Sequence, residues 1–271
     1  MHELRKNFPL DSIALEDKLP SHCQEFAYPG SHSDVGGGYC PSELGISVGN
    51  TILESDALKL SQIPLNHLFE CGVAAGAPLA IDRATRPGHP APFAIAPAVQ
   101  KAFDDFLTLS TMKARPMHEW LQPYLNWRWE VRQTYTSLDH VRKANAKDKA
   151  VLIKFNQYLI NDAAKLRRPI WKSVAAAMPP FVGKVAVDAA SRWMLDPEAS
   201  AVLAIAEAAA PAKPEAHRMF DCFVHDSLAG FDLISCELTG YWRYRKGFLG
   251  NNLRRIVQND ASETETEIRI A

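Results

Sequence analysis

Apolar residues recur at helical spacing through most of the second half of the chain. Val99, Phe103, Phe106 and Leu107 form one stripe, and Trp120, Leu121, Tyr124, Leu125, Trp127 and Val131 form a second. Val151, Leu152, Phe155, Tyr158, Leu159 and Ala163 form a third. Arg167-Arg168-Pro169 closes that third helix, with cations where the helix dipole favours them. Residues 142–149, rich in Arg and Lys, read as a charged, solvated connector. Ala199 to Ala210 predicts an Ala-rich helix stopped by Pro211 and Pro214. Residues 170–195 are the most apolar part, divided by Pro179-Pro180. They suit either an ordinary helical core or a lid that touches a membrane, and composition does not separate the two.

The first third reads differently. Residues 22–28 carry a short apolar run that predicts a strand ending at Pro29-Gly30. Residues 54–76 predict one or two helices, with Leu58, Leu60, Ile63, Leu65, Leu68 and Phe69 on one face and a break at Pro64. Leu79 to Ile81 suits another short strand. Tyr241 to Arg245 alternates and, turned at Gly250-Asn-Asn252 into Leu253 to Val257, predicts a hairpin. Pro87, Pro90, Pro92 and Pro97 mark an extended connection. The expected organisation is a mixed α/β unit over 1–86, a mostly helical region over 98–258, and a flexible, acidic, Thr-rich tail over 259–271.

Composition narrows the function classes. The chain has 271 residues, 47% of them hydrophobic, so it can bury a sizeable core. The net charge is −1, which argues against a nucleic-acid partner held by charge. Cys23, Cys40, Cys71, Cys222 and Cys236 form no CxxC pair, so no zinc spacing is present and the thiols read as free and mostly buried. No cofactor motif stands out. No apolar run is long enough to cross a membrane, and no cleavable signal follows Met1. These features suit synthesis in a reducing cytoplasm.

The chemistry concentrates in Tyr28-Pro-Gly-Ser-His-Ser-Asp-Val-Gly-Gly-Gly-Tyr39. His32 is presented just after a turn pair, which makes it the leading candidate for a general base. Asp34 is expected to position the loop. Gly36, Gly37 and Gly38 are expected to keep the backbone clear of a substrate. Gly45-Ile-Ser-Val-Gly49 matches the Gly-x-Ser-x-Gly pattern of a nucleophile elbow. Its flanks are poor for a strand–turn–helix, so Ser47 is a weak candidate nucleophile. His67, among apolar residues, reads as a packed or capping histidine. His225 and Asp226 are adjacent and so cannot orient one another on a helix; they are candidates for hydrogen bonding around the site.

The His-Ser-Asp-Val-Gly-Gly-Gly-Tyr segment resembles a signature of the type VI secretion phospholipase effectors of the α/β-hydrolase class. His2 to Leu10, Leu60 to Leu68, Ala74 to Leu79 and Val224 to Phe231 are similar to segments of the same family, in the same order. The resemblance implies a serine-type lipid-ester hydrolase whose catalytic histidine is His32. It implies a membrane phospholipid as substrate, with a secretion-apparatus spike protein and a cognate immunity protein as partners. It also implies manufacture in the bacterial cytoplasm and export by a type VI system without a signal peptide. In that family the serine elbow and the acid precede the histidine, and only 31 residues precede His32 here. The expectation is therefore the C-terminal part of an α/β-hydrolase domain followed by a helical region, contributing the histidine and inactive alone. A non-enzymatic delivery or partner-binding module is the alternative, and an intact small hydrolase using Ser47 is a further one.

Overall fold

The computed structural model describes residues 2–5, 8, 10–11, 13, 20–24, 26–79, 92–109, 121–167, 197–230, 240–242 and 247–248. The expected lid or core at 170–195, Cys236, most of the 241–257 hairpin and the 259–271 tail lie outside these residues, as does most of the proline-rich connection.

The described residues are helical. In chain order the helices are α1 (His32–Gly36), α2 (Ile52–Ala57), α3 (Gln62–Ala74), α4 (Pro97–Leu107), α5 (Gln122–Glu130), α6 (Asp139–Lys143), α7 (Ala146–Leu166), α8 (Pro197–Ala208) and α9 (Pro214–Cys222). The strand pairing found is one parallel pair, β1 (Leu10–Asp11) with β2 (Gly247–Phe248), in the register Leu10 to Gly247. The α/β expectation is thus overturned: the described fold is helical, without the sheet of an α/β-hydrolase domain. The reason is visible at residues 22–28. Among the described residues of this run Ala27 is an isolated bridge residue rather than part of a strand, and the side chains of Phe26 and Tyr28 pack on helices. Ala27 is buried, Tyr28 stacks on Phe103 of α4, and Phe26 meets His67 of α3 edge-on.

The helical stripes fold as their spacing predicts. Pro97 opens α4 at its first position, where a missing N–H costs nothing. Asn145 caps α7 by accepting from the Asp148 N–H, and Arg167 follows its last residue. The 142–149 stretch is not a loop: Lys143 ends α6 and Ala146 starts α7. α9 packs on α4 and α5, and α8 on α5 and α7. At their meeting point the Phe220 ring, fully buried, stands edge-on to Phe106 at 5.4 Å and to Tyr124 at 5.2 Å. Burying aromatic rings in such pairs supplies much of the apolar stabilisation.

The N-terminal segment is built into this core. The His2 ring lies edge-on to Phe220 at 5.0 Å. Its main-chain N–H donates to the Gly30 carbonyl at 2.8 Å, and its Nδ1 accepts from the Gly30 N–H at 2.8 Å. Leu4 N–H donates to Ser227 Oγ at 3.0 Å. Gly30 sits at φ +102, and a Cβ there would lie 2.6 Å from Asp34 Cβ. Glycine is required by the close turn that leads into α1.

Candidate functional site

α1 is five residues long and is held by its first turn. Ser31 Oγ accepts from the Asp34 N–H at 3.3 Å, and Asp34 Oδ2 accepts from the Ser31 N–H at 2.8 Å, a reciprocal capping box. The helix therefore starts at His32, rather than leaving it on a loop after a strand. Gly36 ends the helix and Gly37 is its left-handed cap at φ 77. A Cβ on Gly38 would come within 3.0 Å of Ser33 Oγ, so the glycine run lets the chain turn back over α1.

His32 points to the N-terminal segment. Its Nδ1 lies 2.6 Å from Glu3 Oε2, whose side chain is fully buried. Arg5 holds the same carboxylate through two bonds, Nε to Oε1 and Nη2 to Oε2, both 3.0 Å. Arg5 Nη2 also lies 3.0 Å from His32 Nδ1. The two contacts at Nδ1 demand opposite protonation, and the carboxylate decides between them. Burial pushes the Glu3 carboxyl up, but the hydrogen bonds from Arg5 and His32 outweigh it and hold the group at about 2. Glu3 is then an acceptor, so Nδ1 carries the proton and donates to it. Nε2 is left with its lone pair, and Ser33 Oγ stands 3.0 Å from it. The Phe8 ring stacks on the imidazole at 4.3 Å, and the His32 side chain keeps 36% of its surface exposed. The result is a hydroxyl, a base and an orienting acid in one line, Ser33–His32–Glu3, which is the arrangement nucleophilic catalysis needs.

Asp34 faces the other way. Besides capping α1, it accepts from the His225 N–H at 3.2 Å and lies 2.5 Å from His225 Nδ1. His225 is 4% exposed and Tyr39 stacks flat on it at 3.6 Å. Its Nε2 is buried and has no hydrogen-bond partner among the described residues. Asp34 is thus the partner of His225 and not of His32, although only one residue separates it from His32. Asp226 serves a different network: it accepts from the Tyr241 hydroxyl at 2.6 Å and from the Leu228 N–H at 3.1 Å, with buried Arg128 at 3.7 Å. Burial first, and then the Asp226 charge, push the Tyr241 phenol well above its usual range, which keeps it a donor.

A third pair shows what a purely structural one looks like. His140 Nδ1 lies 2.8 Å from Asp221, and its Nε2 meets the Tyr135 hydroxyl at 3.4 Å, so both ring nitrogens are occupied and α6 is tied to α9. His32 and His225 each leave Nε2 open or facing a reactive group.

Ser47 is buried, has φ 56, and donates to the Leu58 carbonyl at 3.2 Å rather than to a histidine. A single turn of 3-10 helix precedes it, not a strand. It does line a small chamber of about 10 Å³ together with Ser33, Asp34, Ser61 and His225. Gly37 and Ser61 are shared with a larger groove of about 950 Å³ between α3 and residues 21–28, lined by Phe26, Tyr28, Val35, Leu65, His67 and Leu68. Burial raises the Tyr28 phenol, whose hydroxyl is hydrogen-bonded to His67 Nδ1. His67 is thus a hydrogen-bonded wall residue of the groove.

Glu3 and Ser33 are the site residues that sequence reasoning missed. Glu3 and Arg5 share a face of an extended segment two residues apart, which is the signal that marks them. Among the described residues no three His, Cys, Asp or Glu side chains converge as a metal site requires. Among the described residues no helix is long and apolar enough to cross a membrane. No protein-family model, no curated protein and no solved structure matches the chain.

Proposed function

We propose that the chain acts in the hydrolysis of carboxylic esters of lipids, with His32 as general base and Glu3 as the residue that orients it and stabilises the imidazolium formed during the step. The observation that carries this reading is the line Ser33 Oγ, His32 Nε2, His32 Nδ1, Glu3 Oε2, with steps of 3.0 Å and 2.6 Å on either side of a partly exposed ring. In the forward step His32 Nε2 takes the proton of a serine hydroxyl as that oxygen adds to the ester carbonyl. Glu3 stabilises the imidazolium, and the ring then protonates the leaving alcohol. Within the described residues the hydroxyl at hand is Ser33.

The groove supports a lipid as substrate. It has the volume of a ligand site and is walled by Phe26, Val35, Leu65 and Leu68 beside the end of α1. The resemblance of residues 28–39 to the phospholipase effectors points to the same substrate class, a membrane phospholipid. Export by a type VI system, with a spike protein and an immunity protein as partners, extends the proposal on that resemblance.

The test is turnover of p-nitrophenyl acetate and butyrate, and of phospholipid vesicles, by the purified chain. His32→Asn keeps a donor toward Glu3 and removes Nε2. It should lower kcat/KM by about a hundredfold or more. Ser33→Ala should do the same, whereas Ser47→Ala should not. A folded chain with no ester turnover, or with turnover indifferent to His32→Asn, overturns the proposal.

A further inference from the structure

Asp34 and His225 form a second acid–base pair that the forward step leaves unused. The pair repeats the logic of Glu3 and His32. Asp34 Oδ2 already accepts from the Ser31 N–H at 2.8 Å and from Ser31 Oγ at 2.9 Å, so it acts as an acceptor. His225 Nδ1 at 2.5 Å must then donate to Asp34, which leaves the Nε2 lone pair directed elsewhere. Tyr39 stacked on the ring, and the His225 N–H bound to the same carboxylate, fix its plane. Nε2 is fully buried without a hydrogen-bond partner among the described residues. Leaving a buried acceptor unmet is costly, which a functional site can justify.

The chamber beside this ring has room for about one water molecule. Its wall includes Ser33, the same residue whose Oγ lies 3.0 Å from His32 Nε2. Ser33 therefore borders both the His32 ring and the chamber that His225 lines. Lys59, paired with Asp56 at 2.8 Å, is the cation of that wall, and Asp34 is its anion.

We propose that His225, oriented by Asp34, is the general base for the water that releases an acyl group from Ser33. This step rests on the reading of His32 and Ser33 given above. After the first half-reaction Ser33 Oγ is esterified and the alcohol has left with the proton from His32. A water in the chamber then loses a proton to His225 Nε2 as its oxygen bonds to the acyl carbon. The tetrahedral adduct collapses by breaking the carbon–Oγ bond. His225 returns the proton to Ser33 Oγ, and the products are a carboxylic acid and the free serine. Asp34 is a positioning residue throughout.

The experiment is stopped-flow hydrolysis of p-nitrophenyl acetate by the full chain, comparing wild type with His225→Asn and His32→Asn. The Asn amide keeps a donor toward Asp34 and deletes Nε2. His225→Asn should release p-nitrophenol in a burst of about one per chain, at a rate within about threefold of wild type, and then turn over about a hundredfold more slowly. The burst amplitude itself counts folded sites. Hydroxylamine, which attacks an acyl-serine without a base, should restore turnover in this variant, and mass spectrometry should find an acetyl group on Ser33. His32→Asn should lose the burst. If His225→Asn slows burst and turnover equally, or changes neither, the role of His225 is overturned while that of His32 stands. If wild type shows no turnover, or turnover without dependence on His32, both readings fall together.

Discussion

The hydrogen bonds that Arg5 and His32 make to buried Glu3 make the site a determinant of acid stability. Its carboxyl is held at about 2 in the folded chain against an ordinary 4.5. A depressed carboxyl contributes stability above its unfolded value and loses it as pH falls toward the folded one. The gap is about 2.5 pH units, and at ~1.4 kcal/mol each the contribution is about 3 kcal/mol. The side chain is fully buried, so solvent does not screen it away. Glu3→Gln removes the charge and leaves Arg5 facing an amide. Urea unfolding followed by tryptophan fluorescence should find this variant about 3 kcal/mol less stable than wild type at pH 7. The difference should shrink by ~1.4 kcal/mol per pH unit below 4.5, falling to about 1 kcal/mol by pH 3. A difference between the two proteins that stays constant from pH 6 to pH 3 would show that Glu3 is not held ionised by Arg5 and His32, and the tautomer assigned to His32 would fail with it.

Three further outcomes follow from the structure. Gly45 has φ +78, and a Cβ would sit 1.9 Å from the His140 carbonyl oxygen and 2.8 Å from the Ala144 nitrogen, so Gly45→Ala should cost about 2–3 kcal/mol or more. Gly36→Ala, with nothing within 4 Å of the added carbon, should stay within about 0.5 kcal/mol of wild type in the same melt. Burial, then the charges of Asp221 and Asp139, push the Cys222 thiol up to about 11. Iodoacetamide at pH 8 followed by peptide mapping should therefore label exposed Cys40 first, with the Cys222 rate rising about tenfold per pH unit until pH 11.

The parts of the fold that were legible in the sequence are those governed by local periodicity. The stripes at Val99 to Leu107 and Val151 to Ala163 became α4 and α7 because one face of each was apolar at 3.6-residue spacing. The break at Pro64 marked the start of α3, not a kink within it, since proline is well placed in a first turn. The α/β reading failed where a short apolar run has no periodicity to decide its partner: Phe26 and Tyr28 suit a sheet or a helix surface equally, and α3 took the first and α4 the second. The four cysteines described are free, yet none is fully buried and Cys40 is exposed, because a thiol adds too little apolar area to dictate its place. His32 stood out through its local motif. Glu3 and the Asp34–His225 pair did not, because their partners lie 29 and 191 residues away, and no local spacing encodes such a pairing.

That separation has a consequence during synthesis. Asp34 leaves the ribosome about 190 residues before His225, and Leu4 waits 223 residues for the Ser227 hydroxyl. At ~5–20 residues per second this is an interval of about 10–40 s. In that time α1 can close its capping box, since Ser31 and Asp34 are neighbours, and His32 can meet Glu3. The second histidine cannot yet be there. On the proposed mechanism, a nascent chain would thus be able to take up an acyl group well before it could discharge it, and turnover would await the segment after α9 that carries His225.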